Sequence, residues 1–294
     1  MPIFLKLFQF LISGLTTGST YALIAIGFSI IHNATGIVNF AQGEFVMLGG
    51  MFMITFFTVL KIPMIPAFCL TIICVALVGL ILEKGPLAQA KSKEILNLVM
   101  ITVAASIVIK GLAMIAWGKS SMTLPAISGE SPLLIWKAVV MPQSLWIFGI
   151  TLAAVGILNI FFRRTRTGKA MRAVSANRRY AMLAGIPVQR MLALSFCLSA
   201  ALGSVAGILL TPITTISYDA GVMLGLKGFS AAILGGYGSM TGAVAGGILL
   251  GVMESLGAGF ISSEYKDVMA FMLLLIVLFV RPSGLLGDGL IKRV

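Results

Sequence analysis

Charge is what this chain of 294 residues has least of: Asp, Glu, Lys and Arg make up 10% of it, while 59% is apolar. A water-soluble domain cannot cover its surface with so few charged side chains. A mean hydropathy of +1.08 and repeated apolar runs of about 20 residues describe instead a protein that crosses a membrane several times. Histidine occurs once, at His32, and acids number nine against 21 basic residues. That stock supplies no Ser/His/Asp set and no metal-ligating cluster, so an intramembrane enzyme lacks its residues and neither metal nor cofactor is expected. The three cysteines, Cys69, Cys74 and Cys197, lie in apolar runs without metal or redox spacing and read as packing residues. A nucleotide cradle is missing too. "WGKS" at 117–120 ends like a phosphate-binding loop, but Ala113 stands where that pattern needs glycine, at a helix end rather than after a strand.

What is present is a series of spans. Backbone groups in lipid must bond within the segment, and these runs are too long and too uniformly apolar for barrel strands. The expected fold is therefore all-α, a polytopic integral membrane helical bundle. Spans are read near 8–31, 36–60, 63–82, 94–117, 143–162, 191–211, 240–260 and 266–280. The N-terminal "MPIFLKLFQF" flows into the first of them without a small-residue cleavage site, so a cleaved leader is not expected.

Eight of the 21 basic residues fall in 163–190, which contains no acid. This places the net charge of +12 where it orients a membrane protein rather than where nucleic acid would bind. The same rule puts Lys84, Lys91 and Lys93, and the tail with Lys292 and Arg293, on the cytoplasmic side. The N-terminus and loop 118–143 then lie outside, with Trp117, Trp136 and Trp146 at the loop's edges. Parity requires one more crossing, and the glycine-interrupted 220–236 supplies it as a short or broken helix. That makes about nine spans, five before the basic loop and four after; a re-entrant 220–236 makes eight. The pairs Gly203/Gly207, Gly242/Gly246 and Gly247/Gly251, each four apart, present small faces for close helix packing within the chain.

Two stretches depart from this pattern. "GIVNFAQGEFVMLGG" (36–50) sets Asn39, Gln42 and Glu44 at the head of an oily run, where a buried carboxylate is costly without a partner or water. They form a polar collar near the inner end of span two, as helix–helix hydrogen bonds or as path lining. Lys110 and Glu254 read as span-end residues that snorkel. The second stretch, "RRTRTGKAMRAVSANRRYAMLAGI" (163–186), reads as one or two short amphipathic helices. Ser175 or Asn177 caps the second and Gly185 stops it before Pro187. Met171, Val174, Met182 and Leu183 offer apolar contacts. Its small residues suit docking in a groove of a cytoplasmic partner, and its charge suits contact with anionic lipid.

Two segments carry a family resemblance. "GLTTGSTYALIAIGFSIIHNATGIVNFAQGEFVMLGG" (14–50) and "TRTGKAMRAVSANRRYAMLAGIPVQRMLALSFCLSAALGSVAGIL" (165–209), followed by "GFSAAILGGYGSMTGAVAGGILLG" (228–251) and "VRPSGLLG" (280–287), resemble the permease subunits of LIV-type branched-chain amino-acid ABC importers. The resemblance implies one permease domain over 1–294 in a bacterial cytoplasmic (inner) membrane. It also implies a second permease subunit, two cytoplasmic ATPase subunits that hydrolyse the ATP, and an extracytoplasmic solute-binding protein. On it, 163–190 is the ATPase-coupling loop, with Gly168, Arg172, Ala173, Asn177, Ala181 and Gly185 in the coupling element. Asn39, Gln42 and Glu44 then border the translocation path and help shape its inner gate. Relatives of this family also carry urea and short amides. A self-sufficient channel or secondary transporter is the alternative of a different class, and it needs intramembrane ionisable pairs.

Overall fold

The computed structural model describes residues 3–287 except 93, 130, 136 and 137. Lys93, Trp136, Lys292 and Arg293 therefore lie outside the described residues. Five helices precede the basic loop: α1 Ile3–Thr35, α2 Gln42–Met53, α3 Met64–Leu82, α4 Ile95–Trp117 and α5 Pro142–Arg164. The loop itself holds α6 Arg166–Ala176 and α7 Arg178–Leu183. Four more follow: α8 Val188–Leu210, α9 Ala220–Gly235, α10 Met240–Phe260 and α11 Lys266–Val280. Single π-helical stretches extend α2 over Ile54–Val59 and α3 over Glu83–Leu87. A short antiparallel hairpin, β1 Leu133–Ile135 with β2 Ala138–Val140, sits in loop 118–141.

Seven of these helices are long and apolar enough to span a bilayer. Helices α9 and α11, of 16 and 15 residues, fall short of the roughly 20 needed to do so alone. With them the count reaches nine among the described residues, five before the basic loop and four after.

The direction of each helix follows from its neighbours. Gly14 and Gly18 of α1 face Val252 and Ile248 of α10, so these two run antiparallel. Gly246 meets Ala231 and Gly242 meets Gly235, which makes α9 and α10 an antiparallel pair around the turn 236–239. The amide of Asn33 donates to the Gly238 carbonyl (2.7 Å), setting that turn beside the end of α1. Backbone N–H groups of Leu285 and Leu286 donate to Leu234 and Gly235 (2.8 and 2.9 Å), returning the segment after α11 to the same end. Arg178 of α7 donates to the Ala34 carbonyl there as well (2.6 Å). The basic loop, the α9–α10 turn and the segment after α11 thus share one end, the one for which the charge rule sets the expectation of a cytoplasmic side.

The opposite end is tied by polar bonds that the oily surroundings favour. Met122 and Ile216 exchange backbone hydrogen bonds (2.8 and 2.9 Å). Trp117 Nε1 donates to Thr55 Oγ1 (2.7 Å) and Trp146 Nε1 to Ser128 Oγ (2.6 Å), as indoles at a membrane boundary do. The glycine pairs pack inside the chain: Gly207 against Val46 and Gly50, Gly246 against Ala231, and Gly251 against Gly14 and Gly18.

Two residues read as span-end snorkellers stand elsewhere. Glu254 is fully buried and holds Lys227 Nζ at 2.8 Å and Lys266 Nζ at 3.0 Å. Lys227 Nζ also reaches Asp267 (2.6 Å), so α9, α10 and α11 are joined by a chain of alternating charges. Lys110 is half-buried, about 10 Å short of the Trp117 end of α4 at 1.5 Å per residue. Both residues find partners across the bundle, which linear position along a span does not reveal.

Candidate functional site

Helix α1 ends at Thr35 because Gly36 takes a left-handed conformation (φ +76°) and its N–H closes back on the His32 carbonyl (2.7 Å). Residues 36–41 then run without helix into the interior, and α2 starts only at Gln42. Gln42 lies against Ser199, roughly 17 Å along α8 from Val188 at the usual helical rise. The polar collar therefore sits near the middle of the bundle rather than at the inner end, because six residues of the second span are not helical.

Non-helical backbone survives at such depth only where protein groups satisfy it, and the polar residues do this. Asn39 Oδ1 accepts from Ala41 N (3.1 Å), and Thr102 Oγ1 of α4 accepts from Phe40 N (3.1 Å). Gln42 Nε2 donates to the Ser199 carbonyl (3.1 Å). The Ser199 hydroxyl lies 2.6 Å from Gln42 Oε1 and 2.8 Å from the Gly27 carbonyl, sharing its proton between them. Gln42 is thus a strut joining α2, α8 and α1. Glu44 differs: Ser106 Oγ of α4 donates to its Oε1 (2.9 Å), but its Oε2 is buried without a partner, as is Asn39 Nδ2. Gly43 and Gly221 allow the start of α9 to lie directly against this turn.

The facing wall belongs to α4, whose Thr102, Ser106 and Lys110 recur every fourth residue and so share one face. Only Thr102 and Ala113 of α4 are fully buried, so this face is the one it turns inward. Lys110 Nζ stands 5.6 Å from the centre of the Tyr218 ring. Beside the stripe is a cavity of about 210 Å³ lined by Phe28, Phe40, Val103, Ser106, Leu226 and Phe229. Sequence reading picked out the three collar residues but missed the α4 stripe. Its signal was the i, i+4, i+8 spacing of polar groups in a helix otherwise apolar.

The basic loop is built as two helices. Thr165 Oγ1 caps α6 by accepting from Gly168 N (2.9 Å), and Gly168 allows α6 to fold back against Phe161 at the end of α5. Asn177 Oδ1 caps α7, accepting from Arg179 N (3.0 Å) and Tyr180 N (3.2 Å); Gly185 follows α7 at φ +76°. Asn177→Ala is expected to cost about 1 kcal/mol of stability through the lost cap, read as a drop in melting temperature of the solubilised chain. A melting temperature unchanged by that substitution would show the cap to be replaceable.

Gly168 and Ala181, together with Met171 and Val174, are buried against the chain itself. Arg172, Asn177 and Gly185 are exposed and Ala173 is half-buried. At the tip, Tyr180 and Leu183 are 70% and 79% exposed, and Met182 is exposed beside them. Among the described residues no group of three or more His, Cys, Asp or Glu is placed to hold a metal.

A sequence model of the family described as "Branched-chain amino acid transport system / permease component" matches residues 10–278. The chain is 35% identical to the high-affinity branched-chain amino acid transport system permease protein LivH of Salmonella typhimurium, covering 99% of each chain. It is 35% identical to the corresponding permease protein BraD of Pseudomonas aeruginosa over the full length of both. A chain in the structure of PsaBC from Streptococcus pneumoniae in complex with Fab superposes with a TM-score of 0.52 at 14% identity, covering 94% of this chain and 93% of that one. The chain belongs to this family of branched-chain amino acid permease components, a multi-pass membrane transport subunit.

Proposed function

We propose that this chain is one of two permease subunits of an ATP-driven importer in a bacterial cytoplasmic membrane, carrying branched-chain amino acids delivered by an extracytoplasmic binding protein. The branched-chain amino acid transport for which LivH and BraD are named, at 35% identity over whole chains, supports the substrate class. One observation carries the coupling to separate ATPase subunits: a rigidly mounted helix pair whose apolar tip is left uncovered. Helix α7 is locked to α1 by Arg178 and to the core by Ala181, while Tyr180 and Leu183 project outward. A push on that tip moves the inner ends of α1 and α8 as a body, which is the rigid-body gating such a machine needs. In this reading Arg172, Ala173 and Asn177 flank the contact, and Gly168, Ala181 and Gly185 shape the element that makes it. Asn39, Gln42 and Glu44 border the path, Gln42 as a strut and Glu44 as polar lining.

Leu183→Asp tests the reading, because it places a charge on the uncovered tip without touching the core. ATP-driven leucine uptake by the complete transporter in proteoliposomes is expected to fall at least tenfold, at unchanged melting temperature. Uptake within twofold of the parent would remove α7 from the coupling contact. The buried Lys227–Glu254 pair favours a self-sufficient transporter instead, and leucine uptake that persists without ATPase subunits would establish that alternative.

A further inference from the structure

We propose that an anionic phospholipid binds in the cleft between the α3–α4 connection and the α7–α8 turn. Its phosphate rests on Arg178 and Arg190, and one acyl chain runs along the apolar walls. The cleft has a volume of about 690 Å³ and lies at the end of the bundle that carries the basic loop. Its lining is sorted by chemistry. Arg178, Gln189 and Arg190 stand where α7 and α8 begin, while Leu87, Ile95, Leu98, Leu192 and Phe196 form the walls. On α8, Phe196 lies roughly 9 Å further into the bundle than Arg190 at the usual helical rise. Charge at the mouth with hydrocarbon beyond it is the order of groups in a phospholipid, and basic pockets between membrane helices take anionic headgroups in this way.

The positive charge at the mouth is available. Nε and Nη2 of Arg178 donate to the Ala34 carbonyl (3.1 and 2.6 Å), which fixes the guanidinium without cancelling its charge. Ion pairs among the described residues belong to Lys227, Glu254, Lys266 and Asp267, so neither arginine is paired with an acid there. Glu83, the one acid among the lining residues, is 4% exposed and already interacts with another group. Lys84 and Lys91, exposed on the connection that supplies Leu87 and Ala88 to the cleft, add to the positive field. A soluble phosphate would use the arginines and leave the hydrocarbon walls in water. A zwitterionic lipid would use the walls but bring a cation of its own to two arginines. An anionic phospholipid satisfies both parts, and seated there it bridges α7 and the α3–α4 connection.

The test reconstitutes the full chain into phosphatidylcholine vesicles carrying a photoreactive acyl-chain analogue of phosphatidylglycerol or of phosphatidylcholine, and maps the labelled peptides by mass spectrometry. The phosphatidylglycerol analogue is expected to label 95–98 and 192–196 well above the phosphatidylcholine one. Each arginine beside a membrane surface is worth roughly fivefold toward an anionic lipid. Arg190→Gln should therefore lower that labelling by about fivefold, and Arg190→Lys should keep it. Leu98→Trp, which fills the apolar part and leaves both arginines, should lower labelling by either analogue. Labelling within twofold of the parent in Arg190→Gln or in Leu98→Trp overturns the proposal, as does equal labelling by the two analogues. Excess inorganic phosphate should not compete; if it displaces the lipid, the cleft is a soluble-anion site and the proposal falls. Loss of labelling when the chain is purified with ATPase subunits bound gives the cleft to protein and overturns it as well. Where Arg190→Gln lowers the melting temperature, Arg190→Lys and Leu98→Trp decide.

Discussion

Lys227→Met is expected to destabilise the chain by about 3–5 kcal/mol, the usual cost of removing one partner from a buried ion pair. Lys227 Nζ holds Glu254 at 2.8 Å and Asp267 at 2.6 Å, in a corner where Glu254 has no exposed surface. Without it, the one cation left on Glu254 among the described residues is Lys266, whose side chain is 41% exposed and so contributes a screened attraction. The Glu254 Oε2 atom already lacks a hydrogen-bond partner, so losing Lys227 adds to an existing deficit. Lys227→Met with Glu254→Leu should recover much of the loss, because apolar side chains of similar volume replace a buried pair at little cost. Thermal or denaturant unfolding of the solubilised chain, arranged as a double-mutant cycle, gives the coupling directly. A single substitution costing under about 1 kcal/mol, or a double worse than the sum of the singles, would show that the network does not hold α9 to α10 and α11.

Gly251→Leu is expected to cost at least about 3 kcal/mol, at the upper end for overpacking. A side chain at 251 runs into the backbone of Gly14 and Gly18. On the other side of the contact, a methyl at Gly14 or Gly18 would lie 2.6 or 2.8 Å from the Cα of Val252 or Ile248. Backbone cannot step aside as a flexible side chain does, so α1 and α10 must part. In lipid their association rests on this close approach, since apolar side chains gain little by leaving one apolar medium for another. Gly149→Leu on α5, where nothing lies within 4 Å, is the control and should stay within about 0.5 kcal/mol. Monodisperse protein recovered from detergent and its melting temperature report both. Equal recovery of the two variants would contradict the proposed basis for helix packing.

Much of the fold was legible in the linear chain because lipid leaves few options. A long apolar run there must be helical, so spans read near 240–260 and 266–280 coincide with α10 and α11. Parity and the acid-free loop pointed to the extra helix at 220–236. Local chemistry was equally readable: Asn177 caps α7 and Gly185 follows it, since caps and left-handed stops are short-range.

What the tertiary structure alone decided concerns partners across the bundle. Glu44, Lys110 and Glu254 are three ionisable residues in oily runs, and the linear chain reads them as one collar residue and two span-end snorkellers. The fold joins Glu254 to Lys227 and Lys266, whereas Glu44 takes the Ser106 hydroxyl and Lys110 stands over the Tyr218 ring. It also lifts the Asn39–Glu44 turn to mid-depth, because the bonds of Phe40 to Thr102 and of Gln42 to Ser199 satisfy a non-helical climb. Likewise Ala181 turned inward and Leu183 outward. Periodicity sets which residues share a face, but only the packed neighbours determine whether that face meets protein, lipid or water. The sequence alone settled class and local stops; tertiary contacts settled which of its few charges are spent on holding helices together.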